Sequence, residues 1–141
     1  MKIVINSCYG GFGLSEKAKE LYLIKYKEKN KLDNFRIVKS IDKFFGSPMV
    51  ALVKNDLNPT TRTEIYELSE EDCIICEDSN LDRTDPILIE TIEELGLKES
   101  SGDCSSLNIE EISSGTQYRI KEYDGYESIE YRDSIYWNIS V

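Results

Sequence analysis

KIVINSCYGGFGLSEKAKELYLIKYKEK, residues 2–29, is the stretch on which the reading of the fold turns. Lys2-Ile3-Val4-Ile5-Asn6 is a β-branched run with the apolar density of a buried strand. Ser7 to Leu14 follows, with glycine at positions 10, 11 and 13, too glycine-rich for a helix or a strand. Ser15 then fits a helix N-cap, with Glu16 favourable in the first turn. Leu14, Ala18, Leu21 and Ile24 recur at helical spacing and predict a helix to about Lys29. Its other face carries Lys17, Lys19, Lys25 and Lys27. The unit is strand, tight turn, helix.

Outward from this unit the signals vary in strength. Phe35-Arg36-Ile37-Val38 and Met49-Val50-Ala51-Leu52-Val53 read as strands, with Gly46-Ser47-Pro48 as the turn between them. Residues 55–63 read as a loop, and Ile65-Tyr66-Glu67-Leu68 and Cys73-Ile74-Ile75-Cys76 as short strands. Residues 30–80 as a whole are the least legible part and look insertion-like. Asp85 is a good N-cap and Pro86 fits the first helical position, where a missing N–H costs nothing. Leu88, Ile89, Ile92 and Leu95 give that helix its apolar side, and Gly96 stands where a left-handed C-cap would. After a small polar loop, residues 107–112 suggest a strand. Asp124-Gly125 between Tyr118–Tyr123 and Tyr126–Tyr131 predicts a type I′ hairpin that pairs Ile120 with Ile129. Residues 135–141 suggest one more strand. The expected architecture is a single α+β domain over residues 1–141, with an antiparallel or mixed sheet and two main helices.

Composition excludes more than it assigns. The 141 residues include 27 acids and 17 bases, a formal charge of −10, which argues against direct binding to nucleic acid or to an anionic membrane. Histidine is absent, so one subunit has neither a Ser-His-Asp nor a Cys-His pair, nor histidine-ligated zinc. Neither a signal peptide nor a membrane span is legible, so a cytoplasmic protein with reduced cysteines is expected. The charge is uneven: residues 1–63 carry +6 and residues 64–141 carry −16. That asymmetry reads either as an uneven solvated surface or as two surfaces that attract in a homo-oligomer.

The turn at residues 8–15 is the best candidate site. Glycines let backbone N–H groups approach a ligand, and the following helix N-terminus favours an anion. Gly10, Gly11 and Gly13 would meet phosphate, Tyr9 or Phe12 would stack on a base, and Cys8 and Ser15 border the same turn. The spacing matches neither GxGxxG nor the Walker pattern, and a simple tight connection explains the glycines equally well. Arg83 is a second candidate, since arginine grips phosphate bidentately; a salt bridge to a nearby acid is its plainer role. Cys73 and Cys76 have the spacing of half a zinc site, but Ile-Ile between them favours a strand that points them to opposite faces. No cofactor and no metal are expected.

The segments CYGGFGLSEKA, RTDPILIETIEELG and YRIKEYDGYESIEY together resemble a family of small bacteriophage-type proteins, over residues 2–26, 83–97 and 107–131. The resemblance implies a setting rather than a reaction: small phage proteins often counter host defence. One group of such proteins forms compact homo-oligomers that capture nucleotide immune signals, including cyclic ADP-ribose types and cyclic oligonucleotides. The expectation is a non-enzymatic anti-defence protein that sequesters a nucleotide-type small molecule. The alternative is an acidic inhibitor that mimics DNA or blocks a host defence enzyme, motivated by the −16 segment.

Overall fold

β1 (Lys2–Asn6) is buried from Ile3 onward and pairs antiparallel with β5 (Leu107–Glu111), Val4 opposite Ile109. In this computed structural model, which describes residues 1–44 and 46–131, every strand pair is antiparallel. β2 (Phe35–Phe44), β3 (Ser47–Lys54) and β4 (Cys73–Ile75) form a three-stranded sheet in the order β2-β3-β4. β6 (Tyr118–Tyr123) and β7 (Tyr126–Tyr131) form a separate hairpin. The helices are α1 (Glu16–Lys29), α2 (Arg62–Tyr66), α3 (Pro86–Leu95) and α4 (Leu97–Ser100). The α+β architecture with two main helices, α1 and α3, is therefore present.

β3 lies between two apolar layers. Its residues Val50 and Leu52 join Val4, Leu23, Leu88 and Ile92 in the main core. Met49, Ala51 and Val53, on the other face, meet Ile65 and Cys73 in a smaller cluster. Strand alternation explains this division, and burial on both faces explains why β3 is a continuous apolar run. The segment 30–80 thus contributes to the same core as the flanking helices.

Local signals carried most elements. Ser15 caps α1, accepting from the Ala18 amide, and Asp85 caps α3, accepting from the Ile87 amide. Asp124 (φ 50°) and Gly125 (φ 87°) both have positive φ, as a type I′ turn requires, and Ile120 pairs with Ile129.

Four details differ from expectation. The buried face of α1 is Ala18, Tyr22 and Leu23, while Ile24 is exposed and Leu21 half-buried. Tyr22 can be buried because its hydroxyl donates to Asp85 at 2.7 Å, so the face rotates toward the phenol. Ile65 and Tyr66 are helical, not extended, because Thr61 and Glu64 make a reciprocal capping box that starts α2. Ser47 and Pro48 begin β3, and β2 runs on to Phe44 with an irregularity between Lys39 and Lys43. Gly96 has φ 89° and ψ 156°, which is not the left-handed cap; α4 starts directly after it. The strand expected at residues 135–141, with Trp137, lies outside the described residues. Among the described residues, no helix is long and apolar enough to cross a membrane.

Candidate functional site

β1 ends at Asn6, whose side chain is fully buried and ties three segments together. Its Nδ2 donates to the Cys8 and Gly125 carbonyls at 2.7 and 2.8 Å, and its Oδ1 accepts from the Ser106 amide at 2.8 Å and from Cys8 Sγ at 3.4 Å. The glycine-rich turn is thereby clamped between the 102–106 loop and the β6–β7 tip. Close packing demands two glycines here. A Cβ on Gly10 would sit 1.7 Å from the Cys104 carbonyl oxygen, and one on Gly125 would sit 2.7 Å from Gly11 N and Tyr9 O.

Beyond the clamp the turn opens. The Gly13 carbonyl accepts from Ser105 Oγ at 2.6 Å and from the Gly102 amide, while the Leu14 amide donates to Asp78. The amides of Phe12 and Gly13 donate to no acceptor among the described residues. Both residues line the same cleft as Ser15 and Glu16 at the start of α1, where the helix dipole adds positive potential.

A cleft of about 880 Å³ is bordered by Gly10 to Ser15, then by Lys19 on α1, Phe44 at the end of β2, and Arg62 and Tyr66 on α2. Its charges are mixed: Lys19 and Arg62 stand with Glu16, Glu77, Asp78 and Asp103. Lys19 lies 3.7 Å from Asp78. The Tyr66 hydroxyl donates to Glu77, and that carboxylate raises the phenol's pKa while the Arg62 charge opposes it. Cys76 also reaches the cleft lining, and burial pushes its thiol up to about 12, so it is inert at neutral pH. Cys73 packs with the smaller cluster and Cys76 with the main core, the opposed directions expected of residues three apart on a strand.

Arg83 joins Gly11 and Phe12 around a second, smaller cavity of about 280 Å³. Its guanidinium lies 3.5 Å above the centroid of the Phe12 ring and donates to both carboxylate oxygens of Glu127, at 2.6 and 2.8 Å. It also donates to the Val4 carbonyl. Glu127 is buried, and its Oε1 accepts from the Asn6 amide as well. Arg83 and Phe12 therefore meet the cavity as a satisfied stack.

Of the residues singled out from the sequence, Gly10, Gly11, Phe12, Gly13 and Ser15 border the larger cleft, and Arg83 shares the smaller one with Gly11 and Phe12. Cys8 and Tyr9 border neither: Cys8 donates to the Cys104 carbonyl and Tyr9 rests against Tyr126, ring centroids 5.3 Å apart. Ser15 is occupied as a cap and donates to the Glu99 carbonyl. Lys19 belongs to the lysine face of α1 noted from the sequence, one helical turn after the glycine-rich turn, and it lines the larger cleft. Sequence reasoning missed Asn6, Arg62 and Glu127: Asn6 adjoins the turn but its partners come from distant segments, as Arg62 and Glu127 themselves do. Protein-family models, curated proteins and solved structures were compared with this chain, and none matches.

Proposed function

We propose that the protein binds a nucleotide-type small molecule in the larger cleft and sequesters it without turnover, in the manner of a phage anti-defence protein removing a nucleotide immune signal. One observation carries this reading. The amides of Phe12 and Gly13, which have no acceptor among the described residues, the start of α1 and Lys19 meet aromatic side chains around one cleft of about 880 Å³. Small-molecule sites commonly measure about 300–1,000 Å³ and combine apolar walls with a few aimed polar groups. In this reading the amides and Lys19 hold a phosphate, and Phe44 and Tyr66 offer rings for a base. The carboxylates of Glu77 and Asp78 suit an exocyclic amine. Arg83, its charge matched by Glu127, serves the site by holding Phe12 in place.

The test is to incubate the purified protein with cyclic ADP-ribose, cyclic oligonucleotides and AMP, remove free ligand, denature and identify what is released. Retention of a nucleotide in unaltered form is the expected outcome. Conversion by catalytic amounts of protein makes it an enzyme, and failure to retain any of them removes the proposal. Partner capture that falls steeply with salt would favour the acidic-inhibitor alternative instead. The proposal includes the homo-oligomer expected from sequence; a monomer by light scattering at micromolar concentration removes that part alone.

A further inference from the structure

Four arginines lie within the described residues, and three are engaged. Arg36 donates to the Lys54 and Asn55 carbonyls and to Asn58, Arg83 to Glu127, and Arg119 to Glu130. The guanidinium of Arg62 has no hydrogen-bond or ion-pair partner among the described residues. It lies 5.4 Å from the centroid of the Phe44 ring, in the lining of the larger cleft. Its backbone is well fixed: the Arg62 amide donates to Asp42 at 2.9 Å, and the capping box at Thr61 and Glu64 starts the helix at this residue. An anchored backbone, a ring beneath the side chain and five unused donors make a preorganised receptor for a planar or tetrahedral anion.

This donor set is separate from the first. The amides of Phe12 and Gly13 belong to the turn after β1, whereas Arg62 belongs to α2. A ligand with a single phosphate engages one set and leaves the other to water. We propose that Arg62 receives a second anionic group, so that the cleft selects a dinucleotide-type ligand with two phosphates over a mononucleotide. The inference rests on the nucleotide-binding reading above and names the class of ligand for that site.

The experiment is titration calorimetry on the full chain with two probes, cyclic di-AMP and AMP, for the unmodified protein, Arg62→Gln and Arg62→Lys. The unmodified protein should bind cyclic di-AMP more tightly than AMP. Arg62→Gln should weaken cyclic di-AMP about 10- to 100-fold, the worth of a charge-assisted pair, and change AMP by no more than about twofold. Arg62→Lys, which keeps the charge and loses the fork, should fall between. Since the guanidinium has no hydrogen-bond or ion-pair partner among the described residues and only the Phe44 ring beside it, unchanged circular dichroism is expected for both variants. Equal losses for the two probes, or none for cyclic di-AMP, overturn the role of Arg62 and leave the nucleotide reading standing. If the unmodified protein binds neither probe, the role of Arg62 falls, and the nucleotide reading falls with it only where cyclic ADP-ribose is not retained either.

Discussion

Glu127 carries more of the site's architecture than any residue of the turn itself. Its carboxylate holds the Arg83 guanidinium and the Asn6 amide, joining the hairpin to β1 and to the segment before α3. Breaking a buried ion pair from one side leaves the other charge without a partner in a place where water cannot fully replace it. Glu127→Ala should therefore lower the unfolding free energy by about 3 kcal/mol in a urea titration. Combined with Arg83→Met, the double variant should lose markedly less than the sum of the two single losses. Strict additivity would show that the pair does not act as a unit. Only the existence of a salt bridge at Arg83 was legible beforehand. Arg83 and Glu127 lie 44 residues apart and Asn6 and Glu127 lie 121 apart, and no local pattern encodes such a meeting. An arginine among many acids pointed to a salt bridge, but not to which acid.

At the level of elements, legibility followed how local the stabilising physics is. Ser15, Asp85-Pro86 and Asp124-Gly125 act within a few residues, through caps and a turn that needs positive φ, and each produced the expected element. Ile65 to Leu68 was misread because apolar alternation was weighed without the Thr61…Glu64 spacing just before it. α2 is short enough that its cap decides its existence: helices of this length are marginal by themselves. Replacing Thr61 by Ala removes the acceptor for the Glu64 amide and the hydroxyl that donates to the Glu64 carboxylate. We expect a loss of about 1 kcal/mol, read as a lower thermal midpoint, and a weaker ellipticity at the helix band. An unchanged midpoint would mean that burial of Ile65 alone holds α2. The face of α1 was read from aliphatic residues, and Tyr22 was overlooked because its burial depends on Asp85, 63 residues away.

Across the whole molecule, the opposed charges of the two parts of the chain meet within one copy. Lys2, Lys17, Lys19, Lys25 and Lys54 each lie within ion-pair distance of an acid from residues 64–141. Most of these pairs are exposed and individually worth little. The asymmetry that suggested attraction between copies is thus partly matched inside the fold. The thiols offer a second whole-molecule check. Cys104 is exposed and Cys8 half-exposed, whereas Cys73 and Cys76 are buried with raised pKa values. An aromatic disulfide reagent should modify two thiols readily in the native protein and all four after denaturation. Fast reaction of all four under native conditions would contradict the core described for β4.

The clamp at Asn6 also bears on how the protein is made. The hydrogen bonds that finish the glycine-rich turn reach from Asn6 to residues 119 and 121 positions later, at Gly125 and Glu127. During synthesis, β1 and the turn leave the ribosome early, yet their partners follow only after more than a hundred further residues. Until residue 127 has emerged, the turn lacks the hairpin tip that presses on Gly11, and Asn6 lacks two of its bonds. Such long-range closure is slow to form. A nascent chain arrested before residue 125 should hold its strands and helices in part while the glycine-rich turn stays unclamped on its hairpin side, so the turn would reach its final shape late.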